Sequence, residues 1–374
     1  MKPVGWVCCL IGVIFIIRQV LWLVMRIIDS TKPILVTGAS GYIASWIIEF
    51  LLERGYRVRG TVRSKADSNR LEHLKDMASR WKGQLSVYEA DLMRHGSFQE
   101  AMEGCELVLH TASPFRIQGV QNPQKELVDP ALEGTRNVLF SAQESTSVQR
   151  VVLTSSVAAI YGDACEIEDQ PRNIFTESVW NVSSSLDRQP YSYSKTLAER
   201  EAWRIARSQM QWDLVVINPA FVLGPSMSRR TDSTSIEFIQ SILRGRFRTG
   251  APALYYGVVD VRDVAQAHIQ AGFTPEAAGR NIVCNTTVSI LDIANILEKK
   301  YGRHFPLPRR EVPKWLVQTL APLLGVSRQF VRDNTGYPLA FDNTRSIHEL
   351  SINYRPIQET VLDQAAQLIQ DGLC

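Results

Sequence analysis

Hydrophobic and polar positions follow two alternating periods through the first two-thirds of the chain. Short apolar runs predict strands at Ile34–Thr37, Arg57–Val62, Leu85–Ala90, Leu107–His110, Arg150–Thr154 and Leu214–Asn218. Between them, apolar positions three and four residues apart predict helices over 42–54, 66–80, 123–144 and 191–209. Strands and helices that alternate at this spacing are typical of an α/β fold, a doubly wound parallel sheet with helices on both faces.

The pattern loosens after Pro219, where apolar runs shorten and Gly, Pro and Arg become frequent. Late segments of this kind tend to cover the substrate in a doubly wound fold. We therefore predict a nucleotide-binding domain over 32–219. Residues 220–374 would form a smaller, mainly substrate-binding region, with some segments returning to the first domain.

The first 31 residues contain an apolar segment, VGWVCCLIGVIFIIRQVLWLV, which is interrupted by Arg18 and Gln19. Because about twenty apolar residues span a bilayer, we predict a single membrane helix over 4–25. A buried or interfacial helix is an alternative, since Arg18 is costly in the membrane interior. A cleaved signal peptide is a third, although no small-residue cleavage site follows.

Charges around this segment predict its orientation. Arg26 and Lys32 follow it and Lys2 precedes it, a modest bias that favours an endoplasmic reticulum anchor with a cytosolic catalytic domain. Two glycosylation sequons, which begin at Asn181 and Asn285, would then be chance matches.

Composition narrows the functional classes. Of the 374 residues, 21% are charged and 45% hydrophobic, and a net charge of +3 gives no reason to expect a nucleic-acid partner. The six cysteines include no CxxC pair, so a disulfide framework or a zinc site is not expected and no metal is predicted. Sequence gives no prediction of oligomeric state.

The segment ILVTGASGYIASW joins the first strand to the first helix. Small residues there allow a tight turn and a close approach of the backbone to a pyrophosphate, which the helix N-terminus would bind. The residues predicted to hold a dinucleotide are Gly38, Ser40, Gly41, Tyr42 and Ile43.

The end of the second strand predicts which dinucleotide is used. NAD sites usually have an acid there, but this chain reads TVRSK and has no acid before Asp67. Because a guanidinium pairs well with a phosphate, Arg63 predicts NADP(H). Asp91 would reach the adenine, and Thr111 and Ser113 would line the nicotinamide ribose.

A candidate acid–base pair lies in the segment PYSYSKTLAEREAW. Tyr191 and Lys195 are four residues apart and would share one helix face. An ammonium near a phenol stabilises the phenolate and lowers the phenol pKa. Ser156, after the strand VVLTSS, would lie where doubly wound folds bind ligands.

Taken together, these motifs resemble the extended short-chain dehydrogenase/reductase family. Within it, the chain is similar to dihydroflavonol and cinnamoyl-CoA reductases and to fungal ketone and methylglyoxal reductases. The resemblance is carried by VTGASGYIASW, VLHTASPF, ALEGTRNVL, RVVLTSSVAAIYG, FTESVWN, YSYSKTLAEREAW, INPAFVLGP, VDVRDVAQAH and FDNTRSIHELSINYRPIQETV.

The resemblance implies a Rossmann fold and the NADPH-dependent reduction of an aldehyde or ketone on a small, hydrophobic substrate. It implies that Ser156 polarises the carbonyl, that Tyr191 donates the proton and that Lys195 holds the nicotinamide ribose. It also implies that Asn137 supports a proton-relay water network. Contacts to the nicotinamide would come from Pro219 and Val222, and pocket walls from Phe115, Tyr161, Trp180, Phe221 and Tyr256.

One departure concerns the cofactor phosphate. Family members often carry a basic residue a few positions beyond Arg63, where this chain has Asp67. Lys65 is the expected substitute.

Three other functions fit parts of the pattern. A nucleotide-sugar epimerase or dehydratase shares the Tyr/Lys pair but prefers NAD and an acid after the second strand. A 3β-hydroxysteroid dehydrogenase would suit a membrane anchor and an apolar substrate. A redox-sensing NADP-binding protein would typically have lost Tyr191 or Lys195, and both are present.

Overall fold

The computed structural model describes residues 27–67, 69–113, 120–228 and 233–374. The apolar segment for which we predicted a membrane helix lies outside these ranges, as does Phe115. In the part of the chain that is described, no helix is both long enough and apolar enough to cross a membrane.

Twelve strands are present in the described ranges: β1 (Ile34–Thr37), β2 (Val58–Val62), β3 (Leu85–Glu89), β4 (Leu107–His110), β5 (Arg150–Thr154), β6 (Asp213–Pro219), β7 (Phe221–Leu223), β8 (Ala251–Pro252), β9 (Tyr255–Asp260), β10 (Gly279–Val283), β11 (Thr286–Ser289) and β12 (Glu311–Val312).

The α-helices of the same ranges are α1 (Tyr42–Glu53), α2 (Glu72–Arg80), α3 (Gln99–Met102), α4 (Asp129–Glu144), α5 (Pro190–Arg207), α6 (Thr234–Leu243), α7 (Val261–Phe273), α8 (Ile290–Tyr301), α9 (Lys314–Leu320), α10 (Arg328–Asn334), α11 (Thr344–His348) and α12 (Ile357–Gln370).

Seven strands form one parallel sheet in the order β10-β6-β5-β4-β1-β2-β3. The order runs outward in both directions from β1 and β4, which confirms the predicted doubly wound Rossmann sheet. The residues of β1 and β4 are all buried, as expected where helices cover both faces of a parallel sheet.

Helices cover the two faces in separate groups. On one face, α1 packs against α7 and buries the side of its apolar stripe that includes Ile47, Ile48 and Leu51. On the other face, α4 packs against α5. Gly55, at φ +82°, follows the C-terminus of α1 and reverses the chain into β2.

The C-terminal region adds a second layer beside the carboxyl edge of the main sheet. It contains a three-stranded sheet of order β11-β9-β7 and the short parallel pair β12-β8. A separate apolar core joins α6, α8 and α12 there. The segment β10 returns to the main sheet as its edge strand, next to β6. The domain boundary at residue 219 stays a prediction.

Candidate active site

A cavity of about 1050 Å³ opens along the carboxyl ends of the parallel strands, between the main sheet and the C-terminal region. Residues from the ends of all six strands from β1 to β6 line it. It brings together almost every predicted site residue: Gly38, Ser40, Gly41, Tyr42, Ile43, Arg63, Asp91, Thr111, Ser113, Ser156, Tyr191, Lys195, Pro219 and Val222.

The turn between β1 and α1 is shaped for a close approach of ligand. Gly38 has φ +70°, and a Cβ there would lie 2.9 Å from Cα of Ala112. The N–H of Gly41 donates to the carbonyl of Gly38 at 2.8 Å. Gly41 is the N-cap of α1 and offers no side-chain cap, so the first-turn N–H groups of the helix face the cavity for a ligand. The turn therefore fits the pyrophosphate of a dinucleotide.

Two hydrogen bonds from α1 fix this turn against the C-terminal region. The hydroxyl of Tyr42 donates to the carbonyl of Gly224 at 2.5 Å, and Nε1 of Trp46 donates to the carbonyl of Pro225 at 2.8 Å. Sequence reasoning missed both, because the partners are about 180 residues apart.

Two arginines from the segment that follows β2 line the cavity instead of one. Arg63 and Arg70 both line it, and Arg70 pairs with Asp67 at 3.0 Å. Lys65 does not take the expected substitute position. Its ammonium lies 6.0 Å from the ring centroid of Tyr88, and its residue is not part of the cavity lining. Arg70, three residues beyond Asp67, is therefore a second cation in the cavity lining.

The Tyr/Lys pair lies on α5, which begins at Pro190. Nζ of Lys195 donates to Oγ of Ser113 at 2.9 Å and lies 5.9 Å from the ring centroid of Tyr191. Burial lowers the pKa of the Lys195 ammonium to about 8, against the opposite effect of Glu199. Burial also raises the pKa of the Tyr191 phenol above its ordinary value. Burial dominates the Tyr191 pKa, in place of the expected lowering by Lys195.

The serines after β5 have different partners. Oγ of Ser156 accepts a hydrogen bond from the N–H of Ala158 at 3.1 Å, at the start of the short helix Val157–Ala159. Oγ of Ser155 instead donates to Glu199 at 2.5 Å. Ser156 is half-buried and lines the cavity.

Asn137 lies elsewhere. Its Nδ2 donates to the carbonyls of Asp91, Leu92 and Arg94, and its Oδ1 accepts from the N–H of Gly96 at 3.0 Å. It does not line the cavity. The contacts differ from those expected for a water relay at Tyr191: they hold the loop after β3, which carries Asp91.

Three of the expected aromatic walls, Tyr161, Phe221 and Tyr256, line the cavity. Tyr161 stacks on Phe175 at a centroid distance of 4.8 Å, and Phe221 lies 5.6 Å from Tyr256. Trp180 is not part of the cavity lining. Its ring is covered by the guanidinium of Arg280 at 4.0 Å, away from the cavity. Sequence reasoning missed further apolar walls from the C-terminal region: Leu254, Phe330 and Leu339.

The Tyr/Lys pair lies in the same cavity as the glycine turn, at the carboxyl ends of a parallel sheet. This combination is typical of a dinucleotide-dependent oxidoreductase. The model of the NAD dependent epimerase/dehydratase family matches residues 34–285, and the chain belongs to this family.

Curated relatives agree with the assignment. The chain is 39% identical over 269 residues to cinnamoyl-CoA reductase CAD2 of Medicago truncatula, with 71% of this chain and 80% of the relative covered. It is 41% identical over 274 residues to tetraketide alpha-pyrone reductase 2 of Arabidopsis thaliana, with 72% and 83% covered.

Solved structures support the same assignment. Gre2 of Candida albicans in complex with NADPH matches at a TM-score of 0.75 and 30% identity, over 91% of this chain and 99% of that chain. The resemblance inferred from the motifs is confirmed, and the chain is an NADP-dependent oxidoreductase.

Proposed function

We propose that this protein reduces an aldehyde or ketone group on a small, hydrophobic organic molecule, with Tyr191 as the proton donor. One observation carries the proposal: Tyr191, Ser156 and Lys195 line the same cavity as the dinucleotide turn and the aromatic walls. The relatives named as reductases support it.

When bound, NADPH supplies the hydride. The chain's own residues orient the carbonyl and manage the charge that develops on its oxygen. Oγ of Ser156 and the phenol of Tyr191 donate hydrogen bonds to that oxygen, and Tyr191 then transfers its proton. The raised pKa of buried Tyr191 keeps the phenol protonated until negative charge develops on the substrate.

Lys195 has two roles in this scheme. Its ammonium holds the ribose of the nicotinamide half, and its positive charge stabilises the phenolate that Tyr191 becomes. Ser113 orients the ammonium through the 2.9 Å hydrogen bond from Nζ. Asn137 acts at a distance, because it fixes the loop that presents Asp91 to the adenine half.

Arg63 and Arg70 select NADPH over NADH. Both belong to the lining where the second strand ends, and a pair of guanidinium groups suits the 2′-phosphate. Asp67 orients Arg70 through their ion pair instead of holding ribose hydroxyls.

Aromatic and aliphatic side chains form part of the cavity wall. Tyr161, Phe221 and Tyr256 come from three separate segments, and Phe330 and Leu339 complete the enclosure. Such walls exclude water from the reacting carbonyl and favour an apolar substrate body.

A panel of aldehydes, ketones and 3-ketosteroids, tested with NADPH and with NADH, examines this function. We expect NADPH oxidation with at least one carbonyl compound. Oxidation confined to steroids would identify the steroid dehydrogenase alternative. Tightly retained NAD without carbonyl turnover would identify the epimerase alternative, and NADPH binding without any turnover would identify the sensor.

We also propose that residues 4–25 anchor the protein in the endoplasmic reticulum membrane with the catalytic domain in the cytosol. The apolar length and the flanking charges support this orientation. The natural sequons are poor reporters of it, because the described contacts occupy both asparagines. Nδ2 of Asn181 donates to Ala158 at 2.8 Å, and Nδ2 of Asn285 donates to Arg355 at 2.6 Å.

A further inference from the structure

Glu199 is a buried carboxylate on the helix that carries the Tyr/Lys pair. Tyr191, Lys195 and Glu199 follow one another at intervals of four residues, so they lie along one face of α5. Only 1% of Glu199 is exposed. Burying a charged carboxylate costs free energy unless the group is paired and hydrogen-bonded. The partners of Glu199 therefore indicate its role.

The carboxylate of Glu199 joins α5 to the ends of two neighbouring strands. Its Oε2 accepts from Oγ of Ser155 at 2.5 Å and from Nδ2 of Asn218 at 2.8 Å. Asn218 also donates to the carbonyl of Ser156 at 3.2 Å. The carboxylate therefore holds the end of β5, where Ser156 begins its turn, and the end of β6, which leads to Pro219.

Arg280 on β10 supplies the counter-charge. Its Nε donates to Oε1 of Glu199 at 2.6 Å, and only 6% of Arg280 is exposed. Its remaining N–H groups donate to the carbonyls of Ala159, Glu177 and Val179. The ion pair thus also holds the segment that follows Ser156.

A second, small cavity lies between Lys195 and Glu199. Its volume is about 20 Å³, enough for one water molecule, and its polar lining includes His110, Thr135 and Thr154. Lys195 and Glu199 therefore both line this small cavity, where little water is present to screen the attraction between their charges.

We propose that Glu199, paired with Arg280, is a positioning residue for the reduction, which holds the Ser155–Ser156 end of β5 against α5 and places a negative charge one helical turn from Lys195. The inference rests on the proposed function, because it assumes that Lys195 and Ser156 act as described there. Glu199 itself does not line the large cavity and acts through these neighbours.

The groups around Lys195 agree with this role. From β4, His110 is neutral, since burial and Lys195 lower its pKa to about 3. From α5, Tyr191 is a neutral phenol, because burial raises its pKa. Ser113 contributes an uncharged hydroxyl. Glu199 is the carboxylate that opposes the lowering of the Lys195 pKa, and Arg280 sits on the far side of that carboxylate.

The test is the pH dependence of NADPH affinity, measured by fluorescence titration from about pH 6 to 10. The dissociation constant of the wild type should rise as Lys195 loses its proton, with a midpoint set by its pKa of about 8. In Glu199→Gln the midpoint should move down by about one pH unit or more, because an adjacent opposite charge is lost. Lys195→Met should abolish the transition.

Glu201→Gln is the matched control. It lies on the same helix and only 9% of it is exposed, but its carboxylate pairs with Arg204 and Arg136, away from Lys195. Its midpoint should equal that of the wild type.

If Glu199→Gln does not fold, the double variant Glu199→Gln/Arg280→Met avoids leaving a buried cation unpaired. A downward shift smaller than that of the single variant is then expected, because the repulsion of Lys195 by Arg280 is lost as well. An unshifted midpoint in either variant overturns the inference, as does a wild-type affinity that is flat with pH. These measurements of NADPH affinity need no carbonyl substrate. Failure of the proposed carbonyl reduction would therefore be detected separately, in the panel of carbonyl compounds.

Discussion

Replacing Gly38 by alanine tests the dinucleotide turn most sharply. At φ +70° an alanine costs about 1–2 kcal/mol. The added Cβ would also lie 2.9 Å from Cα of Ala112, a backbone atom that cannot rotate away. Overpacking of this kind costs about 1–3 kcal/mol more. The expected loss in the free energy of unfolding is therefore about 2–5 kcal/mol.

Gly55→Ala is the matched control, because Gly55 has φ +82° and a Cβ there meets no atom within 4 Å. It should lose only the conformational part, about 1–2 kcal/mol. Thermal unfolding should separate the two, since each kcal/mol corresponds to about 1–2 °C in Tm for a chain of 374 residues. Gly38→Ala should also weaken NADPH binding in a fluorescence titration, and Gly55→Ala should not. Equal Tm values with unchanged NADPH affinity would refute the close-approach argument.

Two other predictions concern the cofactor phosphate and the topology. Arg63→Asp should raise the dissociation constant for NADPH at least about tenfold and leave that for NADH nearly unchanged. Lys65→Asp is the control. An equal effect of Lys65→Asp on NADPH binding would exclude a specific contact between Arg63 and the phosphate. Val182→Asn creates an Asn-Ser-Ser acceptor where the side chain is 81% exposed. With a cytosolic domain it should stay unglycosylated in eukaryotic cells, whereas a glycosidase-sensitive mobility shift would place the domain in the lumen.

The sequence was most informative where a local pattern determines the structure. The strands Ile34–Thr37, Leu107–His110 and Arg150–Thr154 were predicted to the residue, because their apolar runs are bounded by turn-forming or polar residues. The helix predicted over 123–144 is regular only from Asp129, since a π-helical turn precedes it. Its start carried no sequence signal of that irregularity.

Contacts between distant segments were missed. Trp180 could be taken for a pocket wall because nothing local shows that Arg280, one hundred residues later, covers its ring. Arg70 was overlooked because the short turn that returns it to the cavity follows an unexpected acid. The buried pair of Glu199 and Arg280 was missed for the same reason. In the sequence each is an ordinary charged residue, and only the folded sheet brings α5 and β10 together.

The most direct test of the central claim is the activity of Tyr191→Phe with a carbonyl compound that the wild type reduces. The variant removes only the phenol hydroxyl, so NADPH affinity should stay within about twofold while kcat falls by about two to four orders of magnitude. Retention of wild-type kcat by Tyr191→Phe would contradict the assignment of Tyr191 as the proton donor and, with it, the proposed mechanism.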